Sequence, residues 1–198
     1  MKKILFTIIT FSLLLLLSLN CGSRKGPDLS PEASRKTLSN LPNWFMDIPN
    51  KEGFRYETST ATSQDIQMAI NKASLDASNK LAGQVKSEMN GLIKRAQEET
   101  GLGEGSHVID QFSQTQEQVI ATALQDWKIA KKEIQEEKST TGRIYRAYVL
   151  VEWDEGAAQK RLLAKIQSDE QIYTAIRSTE LYDEMEAKVE KYRERYGN

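Results

Sequence analysis

From Ile66, apolar side chains recur at Ile70, Ala73, Ala77, Leu81, Val85, Met89, Leu92 and Ala96. Steps of three and four trace one stripe of an α-helix, and the charged residues between them form its solvated face. Ser63 is placed as the N-cap, with Asp65 in the first turn facing the helix dipole. Asn90-Gly91 interrupts the charge pattern but not the stripe, so the helix is expected to run through it or kink mildly, at a glycine cost of about 1 kcal/mol. Thr100-Gly101-Leu102-Gly103-Glu104-Gly105-Ser106 ends it. Val108, Ile109, Phe112, Val119, Ile120, Ala123 and Leu124 then predict a second helix.

Two other stretches alternate with period two. Phe54 to Ala61 is rich in aromatic and β-branched residues and reads as a first strand. Arg143 to Trp153 is the stronger signal, with Tyr145, Ala147, Val149, Val151 and Trp153 on one face. A strand of that kind needs a partner. Residues 127–138 are ambiguous alone but become the other arm of a hairpin, with Ser139-Thr140-Thr141-Gly142 as a four-residue loop. Upstream, Pro42 and Pro49 bracket Trp44 and Phe45, which predicts an extended or turn segment whose aromatic pair packs on the body.

Asp154 caps a C-terminal helical region with Leu162, Leu163 and Ile166 on its first face. Ser168-x-x-Gln171 resembles a capping box that opens a further helix. Tyr182, Met185, Val189, Tyr192 and Tyr196, spaced three and four apart, form a narrow aromatic seam. That seam packs either on its own domain or on a partner subunit. The fold class expected is α+β: a small antiparallel sheet of about three strands, in strand–helix–helix–hairpin order, packed by a long helix, with a C-terminal helical extension.

The first twenty residues are of another kind. Lys2 and Lys3 precede Ile4–Leu19, where only Thr7, Thr10, Ser12 and Ser18 are not apolar. The stretch is short for a membrane span, which takes roughly 20 residues, and suits a secretory signal. Leu17-Ser18-Leu19-Asn20-Cys21-Gly22 follows, and resembles a bacterial lipobox. The resemblance implies a diacylglyceryl group on the Cys21 sulfur, cleavage before Cys21 and N-acylation of the new amine. Cys21 is the only cysteine, so lipidation would leave no free thiol on an exported chain. The residues by themselves also admit an uncleaved signal anchor or a secreted chain with a free thiol. The expected organisation is a signal peptide at 1–20, a lipidated Cys and flexible tether at 21–40, an α+β domain at 41–153 and a helical region at 154–198.

Composition removes several classes. One Cys excludes an internal disulfide framework and any multi-cysteine zinc site. Twenty-seven basic against 28 acidic residues give a charge of −1 and no broad footprint for nucleic acid. Ser106, His107 and Asp110 offer hydrolase residue types, but they crowd one helix start, whereas a triad converges from separate elements. Gly101, Gly103 and Gly105 lack a following Lys-Ser or Lys-Thr and read as loop residues. Glu98-Glu99 and Glu136-Glu137 read as solvated neighbours, and Lys128, Lys131 and Lys132 interleave with Glu133, Glu136 and Glu137 as a mixed-charge face. No metal or cofactor is expected beyond the Cys21 lipid. Trp44, Trp127 and Trp153 could stack on a flat ligand, though packing duty is the first expectation.

The order of elements, with Pro42-Asn43-Trp44-Phe45, Ile48-Pro49, Phe54-Arg55-Tyr56, the alanines at 69, 73, 77 and 82, and Tyr148-Val149-Leu150-Val151, resembles the LPP-twenty family of bacterial outer-membrane lipoproteins, which includes flagellar P-type motility lipoproteins. The resemblance covers roughly 41–153. Where the family strand carries a glycine, Thr58-Ser59-Thr60-Ala61 has none. It implies a dodecin-like domain, a long helix across a three-stranded sheet. It also implies a non-enzymatic outer-membrane protein, on the periplasmic face or the cell surface, with a structural, self-associating or flagellar-ring role and a homo-oligomeric or envelope protein partner. The alternative is an envelope-tethered module that binds a small molecule through aromatic residues.

Overall fold

The structure, a computed structural model, describes residues 40–139 and 142–197, all within the compact unit Asn40–Asn198. The predicted signal segment, Cys21 and nearly all of the predicted tether lie outside the described residues. The elements run α1 (Asn43–Met46), β1 (Phe54–Ser63), α2 (Ile66–Thr100), α3 (His107–Ala123), a 3₁₀ turn (Leu124–Asp126), β2 (Lys128–Ser139), β3 (Gly142–Asp154), α4 (Glu155–Ser168), α5 (Glu170–Ile176) and α6 (Glu180–Tyr196). This is a mixed α+β unit in which a three-stranded antiparallel sheet packs against several helices.

The strand order is β1-β3-β2. β3 takes the centre because Ala147, Tyr148, Val149, Leu150 and Val151 are buried in succession on both faces. One face carries Ala147, Val149, Val151 and Trp153 against Ala69, Ile70, Ala73, Ala77, Leu81 and Val85 of α2. The other is covered at Tyr148 by Phe45 of α1, ring centroids 5.1 Å apart and nearly perpendicular. In register, Ser59 of β1 and Lys132 of β2 flank Val149, while Ala61 and Ile134 flank Ala147. An irregularity between Ile129 and Lys131 shifts the β2 register at its start. The hairpin is tighter than its sequence suggests. Ser139 pairs with Gly142, so the connection is residues 140–141 rather than a four-residue loop.

α2 runs unbroken through Asn90-Gly91 and, at 1.5 Å per residue, is about 52 Å long. That length lets it serve two cores. Its first half lies on the sheet. Its second half places Ala96 with Ile109 and Phe112 of α3, Leu162, Leu163 and Ile166 of α4, Ile172 and Ile176 of α5, and Leu181, Tyr182, Met185 and Val189 of α6. The tyrosine seam is therefore spent on its own domain. Gln116 of α3 is fully buried, and neither of its amide atoms has a hydrogen-bond partner among the described residues.

Two caps differ by a residue or two from expectation. Asp65, not Ser63, caps α2, accepting from Met68 N at 2.7 Å. Ser63 is the last strand residue, and its Oγ accepts from Asp65 N. Asp169, not Ser168, caps α5, accepting from the N–H groups of Gln171 and Ile172, while the Ser168 hydroxyl donates back to Lys165 O. Asp154 caps α4 as expected, through Ala157 N.

Candidate functional site

Cys21, the one residue to which the sequence assigns chemistry, lies outside the described residues. The other residues weighed above are spread across the fold. Ser106 stands at the start of α3 without a side-chain cap bond, and His107 and Asp110 point to solvent. Gly101, with φ of 70°, closes α2 in the left-handed conformation that favours glycine. Trp153 is buried, its indole N–H donating to Ala123 O at 2.7 Å. Trp127 packs on the same core, while Trp44 sits in α1 against Phe45. The three tryptophans do not form one stacking platform. Among the described residues, no three His, Cys, Asp or Glu side chains gather as metal ligands, and no helix is long and apolar enough to cross a membrane.

One expectation changes character. Glu99 is not merely solvated. Its Oε2 accepts from Leu181 N in the first turn of α6 at 2.8 Å, while Oε1 takes a hydrogen bond from Arg95, which also holds Glu184. A carboxylate at a helix N-terminus supplies both an acceptor and a charge that suits the dipole. No sequence signal links positions 99 and 181.

The entry of β1 is covered by the C-terminal helix. The Tyr192 ring lies directly over Gly156, where an added Cβ would come 2.0 Å from Cδ2, and over Gly53, where it would come 2.8 Å. Gly156 N donates to Gly53 O, which joins the start of α4 to the entry of β1. The Tyr192 hydroxyl donates to Asp154 Oδ2 at 2.8 Å, so Asp154 caps α4 with one oxygen and anchors α6 with the other. Burial and the Asp154 carboxylate push the Tyr192 phenol up to about 12. Beside it, Tyr196 donates to Glu52 O and stacks edge-on against Phe54, while the Lys51 ammonium lies 3.9 Å from the Phe54 centroid. A cavity of about 210 Å³ opens here, walled by Tyr192, Tyr196, Lys188, Lys191, Arg195 and Glu155.

β1 itself is tied to the helices by polar contacts. Arg55, half-buried, forms ion pairs with Glu88 of α2 at 2.5 Å and Glu155 of α4 at 2.8 Å. Ser59 donates to Asp76 of α2, and Gln84 of α2 donates to Glu57. On the opposite face, the Tyr56 hydroxyl donates to Glu152 Oε2 at 2.7 Å. Burial works against the Glu152 charge, but hydrogen bonds from Tyr56 and Lys128 outweigh it and hold that carboxyl below its ordinary range.

β2 is finished differently. Its outer edge has no strand or helix alongside it among the described residues. Ile129 and Ile134 are 39% and 38% exposed. Its charges pair inward where they pair at all: Lys128 with Glu152, Glu136 with Arg143, and Glu137 with Arg146. Lys131 and Lys132 are exposed and have no ion-pair partner among the described residues. The mixed-charge run is thus the border of the sheet, with a row of backbone donors and acceptors that no strand or helix among the described residues takes up.

No family model, curated protein or solved structure matches the chain.

Proposed function

We propose that this chain is a lipid-anchored protein of the bacterial envelope with a structural or assembly role rather than a catalytic one. The observation that carries it is Cys21, the only cysteine, directly after the Lys2-Lys3 and Ile4–Leu19 signal pattern. The Cys21 sulfur bears a diacylglyceryl group and its amine a further acyl chain. Two or three acyl chains, at about 0.8 kcal/mol per buried methylene, make such an anchor lasting. Gly22 rather than Asp follows Cys21, which favours the outer membrane under common sorting rules. The folded unit begins near Asn40, well beyond the anchor in sequence.

In this reading the protein self-associates. The Tyr182–Tyr196 seam does not supply the contact, because it packs within the protomer, and the open side of β2 takes its place. The β1, α2, β2 and β3 arrangement is read as dodecin-like, a long helix across a three-stranded sheet. A place in a flagellar or outer-membrane ring follows from the family resemblance.

Intact mass and membrane fractionation of wild type and Cys21→Ala test the anchor. The expected wild-type mass begins at Cys21 with two or three acyl chains, and the variant loses both the lipid and the membrane. A wild-type chain that keeps residues 1–20, or is cut without lipid, overturns the proposal.

The aromatic cavity at Tyr192 and Tyr196 favours a second reading, a tethered small-molecule binder. Its volume of about 210 Å³ is below the roughly 300–1,000 Å³ of ordinary ligand sites, which ranks this reading second. Native mass spectrometry of the purified chain tests it: a co-purifying small molecule supports it, and a bare mass removes it.

A further inference from the structure

We infer that the open edge of β2 pairs with the β2 edge of a second copy, antiparallel and about a two-fold axis at Ile134, to make one six-stranded sheet. The inference deepens the assembly role proposed above by naming its contact.

Along β2, Lys131 and Lys132 precede Ile134, and Glu136 and Glu137 follow it. Antiparallel pairing of a strand with itself reverses the order, so each basic end meets an acidic one. Directly opposed residues in such a ladder have their side chains on the same face and the same hydrogen-bonding parity. A two-fold axis must therefore pass through a residue. With the axis at Ile134, Lys132 faces Glu136, Lys131 faces Glu137, Glu133 faces Gln135, and Ile134 meets its own copy.

The neighbouring registers are worse. An axis at Glu133 sets Lys132 against Ile134 and Lys131 against Gln135, so neither cation meets a carboxylate. An axis at Gln135 sets Glu133 against Glu137 and Lys132 against Lys138. Like charges directly opposite destabilise a strand pair, so one register is selected.

The surroundings agree. Among the described residues, Lys131, Lys132 and Lys138 are the cations of this strand without an ion pair, and the first two are the ones this register sets against carboxylates. Ile134 is exposed at the point where a twin isoleucine would cover it. The irregularity at Ile129/Lys131 ends the flat part of the edge, leaving Lys131 to Glu137 as the paired window. Edge strands that avoid association scatter their charges or bury the edge; here the pair Lys131-Lys132 and the pair Glu136-Glu137 stand on opposite sides of Ile134, with Glu133 and Lys138 as the exceptions. A two-fold axis at Ile134 runs perpendicular to the sheet and places both copies of α2 on one face.

The test is a charge swap in the full chain, purified in detergent and followed by sedimentation velocity. Wild type is expected to show a reversible, concentration-dependent dimer. Lys131→Glu with Lys132→Glu places four carboxylates at each end of the ladder and is expected to weaken dimerisation about a hundredfold or more. It removes no ion pair within the protomer, so the variant keeps its fold, which its melting curve verifies. Glu136→Lys with Glu137→Lys also breaks the pairs with Arg143 and Arg146, so its melting curve is checked too; it is expected to fail alone for the opposite reason, and mixing the two variants restores a heterodimer. As a second measurement, Ile134→Cys forms a disulfide dimer on mild oxidation, whereas Glu133→Cys does so only when mixed with Gln135→Cys. A wild-type dimer indifferent to charge reversal overturns this interface but leaves self-association standing. A wild-type monomer at all concentrations overturns both. Fractionation of the same preparations reads the anchor separately.

Discussion

β1 and β2 are the two borders of one sheet, and they are finished in opposite ways. β1 is held by side chains from α2, α4 and α6: Arg55 between Glu88 and Glu155, Ser59 on Asp76, and Phe54 under Tyr196. β2 is held almost wholly by β3, with exposed residues along most of its length. An edge strand is a template for another chain unless something blunts it. In this protein the helices tie one border down through side chains at its entry and along its face, and among the described residues no helix or strand does so for the outer side of the other, so the two borders differ in how firmly the protomer holds them.

The contrast breaks most sharply at Gly156. Gly156→Ala drives a methyl group into the Tyr192 ring and is expected to cost about 3 kcal/mol, the upper end for overpacking. Urea denaturation measures it, and adding Tyr192→Ala makes the loss less than additive. Next comes Arg55→Met, which strands the half-buried Glu155 carboxylate and releases β1 from α2. Its expected cost is about 2 kcal/mol, between the values for buried and exposed pairs. Both changes act on the β1 border and leave a β2 dimer in place.

Gln116→Met should move stability the other way. It removes an amide with no partner from a site with no exposed surface and is expected to gain about 1 kcal/mol. The gain is felt equally at both edges, so it serves as a control for effects that act through the shared core.

Tyr192→Phe is smaller at neutral pH, about 1 kcal/mol for the lost hydrogen bond, and its pH dependence is the sharper readout. The folded phenol is raised to about 12, against about 10 in the unfolded chain. Its contribution is therefore complete below pH ~10 and is lost as pH rises from there through the folded value. The variant loses that alkaline slope. Glu152 has the reverse sign: its folded value is depressed, so its contribution is present above the ordinary carboxylate range, about 4.3, and fades as pH falls through the folded value. Melting curves from pH 3 to 11 resolve both limbs. Smallest of all is the effect of Lys131→Glu with Lys132→Glu on the protomer, within about 0.5 kcal/mol as for other surface changes.

Much of this architecture was legible in the residue pattern. The alternation from Tyr145 to Trp153 announces the central strand, and the stripe from Ile70 to Ala96 announces the long helix, because burial on one face imposes its period directly on the sequence. The caps at Asp65 and Asp169 were missed for a local reason: Ser63 and Ser168 are competent cap residues close by, and the choice depends on where the strand or the preceding helix stops. The cover over the entry of β1 was not legible at all. Gly156 under Tyr192, and Glu99 on the α6 N-terminus, join positions far apart in the chain. Nor could the sequence say that the charged run at 128–138 is an open border, since strand order is a long-range property. The reading of Cys21 stands apart, because that residue lies outside the described residues.

Hydrogen–deuterium exchange on the full chain at several concentrations tests the two edges against each other most directly. The account predicts that β1 amides bonded to β3 are protected at every concentration, whereas amides of residues 131–137 that point away from β3 exchange quickly in dilute protein and become protected as it is concentrated. Exchange at 131–137 that ignores concentration, or a β1 that exchanges as fast as β2, would contradict it.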